Sequence, residues 1–360
     1  MIADEEHAFE GARAWANAVN RNGGLASRKI RIDALSTGGT AEGYAAAVGR
    51  ACDRDFAIVA GLSAFDGDTE PLDCGVPDIP IEAIAATHAT RDTTYAAFPR
   101  RPRVEAIGPY RALQAATEGC CDEYALVPES EPDRAPTLAT VDALTKIGFD
   151  AVATPNVPTT ATDADYDAFA EDLAASGATF AWSGLGQNST IALRRAGVAA
   201  GVSSTTTWYC DARCYDPAFL TQGSAAVVGE NVGIETVPFS DRRDVPALRT
   251  YLRATARDGG RASYDGLRAY VAGSLFQEAL DRVVKDHGTN GITRARLLET
   301  LAEIHDFTAG GLVGPTDVGG GDPTGCMVLL RVEDGRFVRN DPAERGNLDC
   351  SPDNLVTLDA

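Results

Sequence analysis

Four histidines, His7, His88, His287 and His305, are scattered along this 360-residue chain, none at metal-ligand or catalytic spacing from another. A nucleophilic serine of the hydrolase type sits in a G-x-S-x-G elbow, and neither Ser63 nor Ser183 has one. The phosphate-cradling G-x-x-x-x-G-K-[ST] pattern is absent, and Gly319-Gly-Gly-Asp322 lacks the strand-then-helix context of a dinucleotide site. Asp163, Asp165 and Asp167 alternate as calcium ligands do, but without the glycine and distal glutamate of a calcium loop, so they read as a solvated loop and helix start. These residues predict no catalytic group, no metal and no cofactor. The expected chemistry is recognition without transformation.

The thiols carry a second signal. Cys52, Cys74, Cys120, Cys121, Cys210, Cys214, Cys326 and Cys350 form an even set of 8 with no C-x-x-C motif, which suits disulfides in an oxidising compartment better than zinc. No run of about 18 apolar residues occurs, so no transmembrane helix is expected. No signal peptide is visible either, since Met1 leads directly into Asp4-Glu5-Glu6. That conflicts with the cysteine content, and a processed or shortened N-terminus would remove the conflict.

Composition narrows the partners. The formal charge is −20, from 52 acidic against 32 basic residues, a surface that repels phosphate backbones and anionic lipid. Nucleic acid and membrane surfaces are therefore not expected partners; small neutral or zwitterionic molecules and proteins are. Hydrophobic content of 44% with 23% charge is globular, and the length predicts two domains.

The elements that position these groups alternate between helix and strand. A helix from about Glu5 to Asn20, with Ala8, Ala12, Trp15 and Val19 on one face, stops at Asn22-Gly23-Gly24. A half-covered strand over 29–35, a helix over 40–48 and strands over 56–60 and 79–86 follow. A second set comprises helices over 104–117, 136–147, 166–176 and 189–196, with strands over 124–127, 149–153, 179–182 and 204–208. Helices over 245–256, 267–286 and 293–304 come later, and a hairpin with an Asp334-Gly335 turn closes the chain. The alternation predicts βαβ units and parallel sheets.

The order of these elements and several local stretches resemble the type I periplasmic binding proteins, in the branch similar to the leucine/isoleucine/valine-binding proteins of ABC importers. Phe9-Glu-Gly-Ala-Arg-Ala-Trp-Ala-Asn-Ala-Val-Asn20 with Gly23-Gly24 and Arg28-Lys-Ile30 resembles the family's first helix and second strand. Ala60-Gly61-Leu-Ser63 and Ala85-Ala86-Thr87 resemble its third and fourth strand ends, and Ser263-Tyr-Asp-Gly266 the start of its long late helix. Gly314-Pro315, Val328–Val332 and Asp334-Gly335-Arg-Phe-Val338 resemble its closing hairpin. The resemblance implies two Rossmann-like lobes with parallel central sheets joined by a three-strand hinge. Lobe 1 would be 1–103 with 240–311, and lobe 2 would be 104–239 with 312–360. It also implies that the first, interior strand of lobe 1 is missing from this sequence, which would leave backbone groups unpaired and a gap beneath the helices.

Ligands of such sheets bind outside the carboxyl ends of the strands. On lobe 1 these ends carry Ser63, Ala64 and Phe65, then Ala85, Ala86 and Thr87. By resemblance the Ser63 and Thr87 hydroxyls and the main chain around Ala86 would hold an amino-acid carboxylate; helix capping is the alternative role of both hydroxyls. His88, beside Thr87, is expected at the rim. On lobe 2 the ends carry Glu129-Ser130, Asn156, the Ser183–Gln187 turn with Gly184 and Gln187, and Tyr209-Cys210-Asp211. The family often places an aromatic at the 184–187 turn and an acid at the Asp211 turn to meet the ligand ammonium. No aromatic occurs between Gly184 and Asn188, so Trp208 or Tyr209 would supply the ring. A solvated loop acid is the equal alternative for Asp211.

Position in this fold pairs Cys52 with Cys74, Cys210 with Cys214 and Cys326 with Cys350, and leaves the vicinal Cys120 and Cys121 either joined or reduced. The implied function is an extracytoplasmic solute-binding protein of an ABC importer. It would act as a monomer with a membrane permease, closing about its hinge on an amino acid or related ligand. The alternative is the ligand-sensing domain of a signalling receptor of the same fold.

Overall fold

The computed structural model describes residues 1, 6–117 and 120–359. Backbone contacts divide the chain into unit 1, Met1–Pro102 with Asp241–Thr324, and unit 2, Arg103–Ser240 with Gly325–Ala360. Residues 312–324, expected in the second lobe, lie in unit 1. Their backbone is tied there: Phe307 and Thr316 exchange two hydrogen bonds of 3.0 Å, and Gly319 N–H donates to the Ile304 carbonyl at 2.7 Å.

In unit 1 the helix Glu6–Arg21 packs along Tyr264–His287. The contact is close enough to demand glycine. A Cβ on Gly11 would stand 1.9 Å from the Gly266 carbonyl oxygen, and one on Gly273 would stand 2.4 Å from the Trp15 ring. The expected start of this helix at Glu5 lies outside the described residues. Two short parallel strands, Ile58–Val59 and Asp78–Ile79, run beside the helix Ala41–Arg54, over a core of Tyr44, Val48, Ile58, Leu72 and Val76.

The stretch 29–34 is not assigned as a strand, against expectation. A strand needs a partner, and here Ile30 bonds the Asn20 side chain while Leu35 N–H donates to the Met1 carbonyl at 2.9 Å. Between this stretch and Ile58–Val59 lies a 430 Å³ cavity, lined by Trp15, Leu25, Ile30, Ile32, Val59 and Phe276 among others. Trp15 Nε1 is buried without an acceptor.

Unit 2 is built on an eight-stranded sheet in the order Arg336–Asp341, Val328–Glu333, Asn231–Ile234, Thr207–Cys210, Phe180–Ser183, Asp122–Pro128, Asp150–Ala153. The eighth strand, Asn156–Val157, also pairs with Asp122–Pro128. The five strands from Asn231–Ile234 to Asp150–Ala153 run parallel, and the two closing strands are antiparallel. Side chains alternate across the sheet, as the pleat requires. Phe180, Trp182 and Tyr209 join Tyr110, Leu113, Val141 and Leu144 on one face. Ala181 and Trp208 join Tyr166, Ala170, Leu173 and Leu193 on the other.

Three further elements differ from the sequence reading. The strand expected over 79–86 covers only Asp78–Ile79, and Ala86 already opens a short helix. Residues 104–106 are a strand paired antiparallel with Leu355–Thr357, and the helix starts only at Gly108–Ala116, with Pro109 in its first turn. The strand Asn231–Ile234 was not expected, because four residues with only Val232 and Ile234 apolar give too short a pattern to mark a strand. The buried Asn231 uses its amide to donate to the Trp208 carbonyl at 2.8 Å. The cysteines pair as Cys52–Cys74, Cys120–Cys121, Cys210–Cys214 and Cys326–Cys350. Among the described residues no helix is long and apolar enough to cross a membrane.

Candidate functional site

In unit 1, the turns that follow the two parallel strands are bound to each other. Ser63 is buried, and its Oγ accepts the Phe65 N–H at 3.3 Å. Thr87 is exposed, and its Oγ1 donates to the Gly67 carbonyl at 3.2 Å. Each hydroxyl closes a turn. Ala64, Phe65 and Ala86 are exposed. The helix after Ala85 is only Ala86–Ala89, too short to carry much of a dipole. What the turn offers an anion is its first main-chain N–H groups, which no intrahelical carbonyl can satisfy.

Asp66 joins these turns. Its Oδ2 accepts the Ile84 N–H at 2.7 Å and its Oδ1 the Ala85 N–H at 2.9 Å. His88, expected at the rim, is instead buried, with Nδ1 2.8 Å from Asp66 Oδ2 and Nε2 2.6 Å from Asp78 Oδ2. Burial alone would lower the imidazole pKa, but the two carboxylates outweigh it and raise it to about 9. Beside it, Glu82 is placed between Arg100 (2.7 Å) and Arg268 (2.9 Å). Burial would raise its pKa, and the two guanidinium groups hold it down at about 2. Ser63, Asp66, Asp78, Glu82, His88 and Tyr44 line a crevice of 10 Å³, the room of one water.

In unit 2, Gly184, Gln187, Tyr209 and Asp211 lie at the carboxyl ends of adjacent parallel strands, as the sequence places them. Both glycines of the 184–186 turn are structurally required. A Cβ on Gly184 would stand 2.1 Å from Thr137 Oγ1, and Gly186 adopts a φ of +78°. Gln187 opens the helix Gln187–Ala199, and its Oε1 is buried without a hydrogen-bond partner. The missing aromatic is not supplied by the neighbouring strand. Tyr209 is 4% exposed, with its ring 4.3 Å from that of Tyr110, and Trp208 is 3% exposed beneath the Arg194 guanidinium at 4.5 Å. Successive strand residues face opposite sides of the sheet, so both rings fill core.

Asp211 is not a lone carboxylate. Arg213 contacts both of its oxygens from Nε at 3.0 Å and reaches Oδ2 from Nη2 at 2.6 Å. The same guanidinium meets Asp133 at 3.2 Å and donates to the Gly184 carbonyl at 2.9 Å. One cation thus ties together the turns after three elements, and the Cys210–Cys214 disulfide closes the loop that carries it. Sequence reasoning missed Arg213, although it stands two residues beyond Asp211 within that loop. It missed Asp66 and Asp133 too, for which no local signal exists.

The acidic run of unit 2 takes its expected part. Asp163 begins the helix Asp163–Ser176, and Asp165 Oδ2 accepts the Thr162 N–H at 2.7 Å as a capping box. Among the described residues no group of three or more His, Cys, Asp or Glu is arranged to hold a metal.

A family profile described as periplasmic binding protein matches residues 4–336. No curated protein matches the chain. Among solved structures, a fatty acid ABC transporter substrate-binding protein from Thermomonospora curvata is 16% identical, covering 98% of this chain and 92% of its own, with a TM-score of 0.77. A substrate-binding periplasmic protein from Ralstonia solanacearum is 18% identical, covering 94% and 99%, with a TM-score of 0.75. A leucine-binding protein from Thermotoga maritima is 16% identical, covering 94% and 97%, with a TM-score of 0.72. At these identities the likeness speaks for the fold. Taken with the profile match over nearly the whole length, it means that the chain belongs to the periplasmic binding protein family, in its type I form.

Proposed function

We propose that the chain is an extracytoplasmic solute-binding protein that delivers a small carboxylate-bearing ligand, an amino acid or a related acid, to an ABC permease. The observation that carries this reading is the clustering of polar turns at the carboxyl ends of parallel strands, around Arg213 in unit 2 and around Asp66 in unit 1. Such edges are where open α/β sheets receive ligands. On unit 1, Ser63, Ala64, Phe65, Ala86 and Thr87 would be solute contacts, and on unit 2 Gly184, Gln187 and Asp211; Tyr209 supports its turn from beneath. Because Arg213 already neutralises Asp211, the ligand's ammonium has a weaker claim on that carboxylate than the resemblance implies. A carboxylate handle is the better-supported feature, and among the relatives fatty acid and leucine binders both carry one.

Closure of the two lobes would follow from a ligand's higher affinity for the closed form. Four disulfides support an oxidising, extracytoplasmic location. A solute binder of this kind acts as a monomer and turns nothing over.

A thermal-shift screen over the twenty amino acids, short and long fatty acids, aromatic acids and simple amides tests the reading. A ligand that binds only the folded chain adds about 2.7 kcal/mol at 100 times its dissociation constant. The reading expects at least one carboxylate to raise the melting temperature and its amide to do so less. Turnover of any screened amide or ester, or stabilisation by amides alone, would overturn it.

A further inference from the structure

His88 is the one buried histidine among four, and nothing in solute binding calls for an imidazole between two carboxylates. The hydrogen-bond inventory decides its state. A neutral imidazole has one donor and one acceptor nitrogen, whereas an ionised carboxylate only accepts. With Nδ1 at 2.8 Å from Asp66 and Nε2 at 2.6 Å from Asp78, a neutral ring would aim a lone pair at one carboxylate inside the core. A protonated ring donates at both ends. Asp66 then accepts three hydrogen bonds, from His88, Ile84 N–H and Ala85 N–H.

We propose that His88 is a positioning residue: as an imidazolium clamped between Asp66 and Asp78, it holds the Ser63–Asp66 and Ile84–Thr87 turns of unit 1 in the form that receives the ligand. The assignment rests on the solute-binding reading for its purpose, but its geometry is independent of it. Asp66 belongs to the loop after Gly61, Asp78 to the strand Asp78–Ile79, and Ile84 and Ala85 to the second turn. One cation therefore holds the Asp66 loop and the Asp78 strand, 22 and 10 residues from it in sequence, and through Asp66 the Ile84–Ala85 turn. The other ionisable groups facing the ring are Tyr44 of the helix Ala41–Arg54, 6.1 Å away between ring centroids, and Glu82, which lines the same crevice and is occupied by Arg100 and Arg268. Arg91, one turn further along, is engaged by Asp73 and lies apart from the clamp.

The test needs no ligand, so a failed solute screen leaves it intact. Imidazole nitrogen NMR on the full-length chain should show both His88 nitrogens protonated at pH 7.5. Protection factors for the Ile84 and Ala85 amides should stay constant from pH 6 to 8 and fall at least tenfold as the pH passes 9, while amides of the Gln187–Ala199 helix in unit 2 keep theirs. His88→Gln, which donates to one carboxylate only, should show the same tenfold loss at those two amides already at pH 7. If that variant does not fold, the wild-type titration alone carries the decision. A single-tautomer neutral His88 at pH 7.5, or Ile84 and Ala85 protection that tracks the unit 2 helix at every pH, overturns the proposal.

Discussion

Replacing Gly184 by alanine is expected to destabilise unit 2 by about 1–3 kcal/mol, the range for overpacking a filled site. The glycine follows the strand Phe180–Ser183, and its N–H donates to the Leu126 carbonyl at 3.0 Å. Its φ is not in the left-handed region, so the perturbation is one of contact and not of backbone strain. A Cβ would stand 2.1 Å from Thr137 Oγ1, 2.5 Å from Cγ2 and 2.8 Å from Cβ. Thr137 has little freedom to yield: it is buried and its Oγ1 donates to the Asp133 carbonyl at 2.7 Å. Rotating it loses that bond, about 0.5–1.5 kcal/mol. Shifting the start of the helix Arg134–Lys146 instead carries Asp133 away from Arg213 and loosens the turn cluster.

Urea unfolding followed by tryptophan fluorescence reads this directly, because Trp182 and Trp208 both lie in the unit 2 sheet. With a slope of about 2 kcal/mol/M, a loss of 2 kcal/mol lowers the midpoint by about 1 M. Thr137→Ala removes the two nearest atoms, so the cost of Gly184→Ala measured in that background should fall by about 1 kcal/mol or more. A Gly184→Ala protein within about 0.5 kcal/mol of the parent would refute the contact argument. So would an equal cost in the two backgrounds.

Glu82 ties acid stability to unit 1. Its folded pKa lies below the ordinary value of 4.5, at about 2, so its contribution is complete above pH 4.5 and is lost as the pH falls towards 2. Glu82→Gln should cost about 3–5 kcal/mol at pH 7, since it removes the carboxylate that Arg100 and the buried Arg268 share, leaving Arg268 the more distant Asp265 at 3.5 Å; the gap to wild type should narrow below pH 4.5, and a gap that widens would contradict the assignment. Replacing Cys326 and Cys350 together by serine should lower the stability of unit 2 by about 2–4 kcal/mol, and an unchanged melting temperature in non-reducing buffer would argue that the bond is not formed.

Much of the fold was legible because its signals are local. The alternation of Phe180, Ala181 and Trp182 sends successive side chains to opposite faces of a sheet, and that parity is a property of the pleat alone. The stripe of Ala8, Ala12, Trp15 and Val19 declares a helix face in the same way. The strand Asn231–Ile234 was not legible, since its four residues carry too short an alternation and only pairing with Thr207–Cys210 and Val328–Glu333 makes it a strand. The start at Val104–Ala106 was misread as helix for a related reason: its partner, Leu355–Thr357, lies near the far end of the chain.

The site divides along the same line. Residue order alone determined that Ser63, Thr87, Gly184 and Asp211 follow strand ends, because a strand's carboxyl end is a position in sequence. What each side chain does there was decided by the tertiary structure. Asp211 became the partner of a guanidinium that also reaches Asp133, 80 residues from Arg213. His88, unremarkable beside Thr87 in the sequence, became a buried cation because Asp66 and Asp78 arrive from other segments. Charge and donor counts are fixed residue by residue, but the field in which they act is summed over neighbours that only the folded chain assembles.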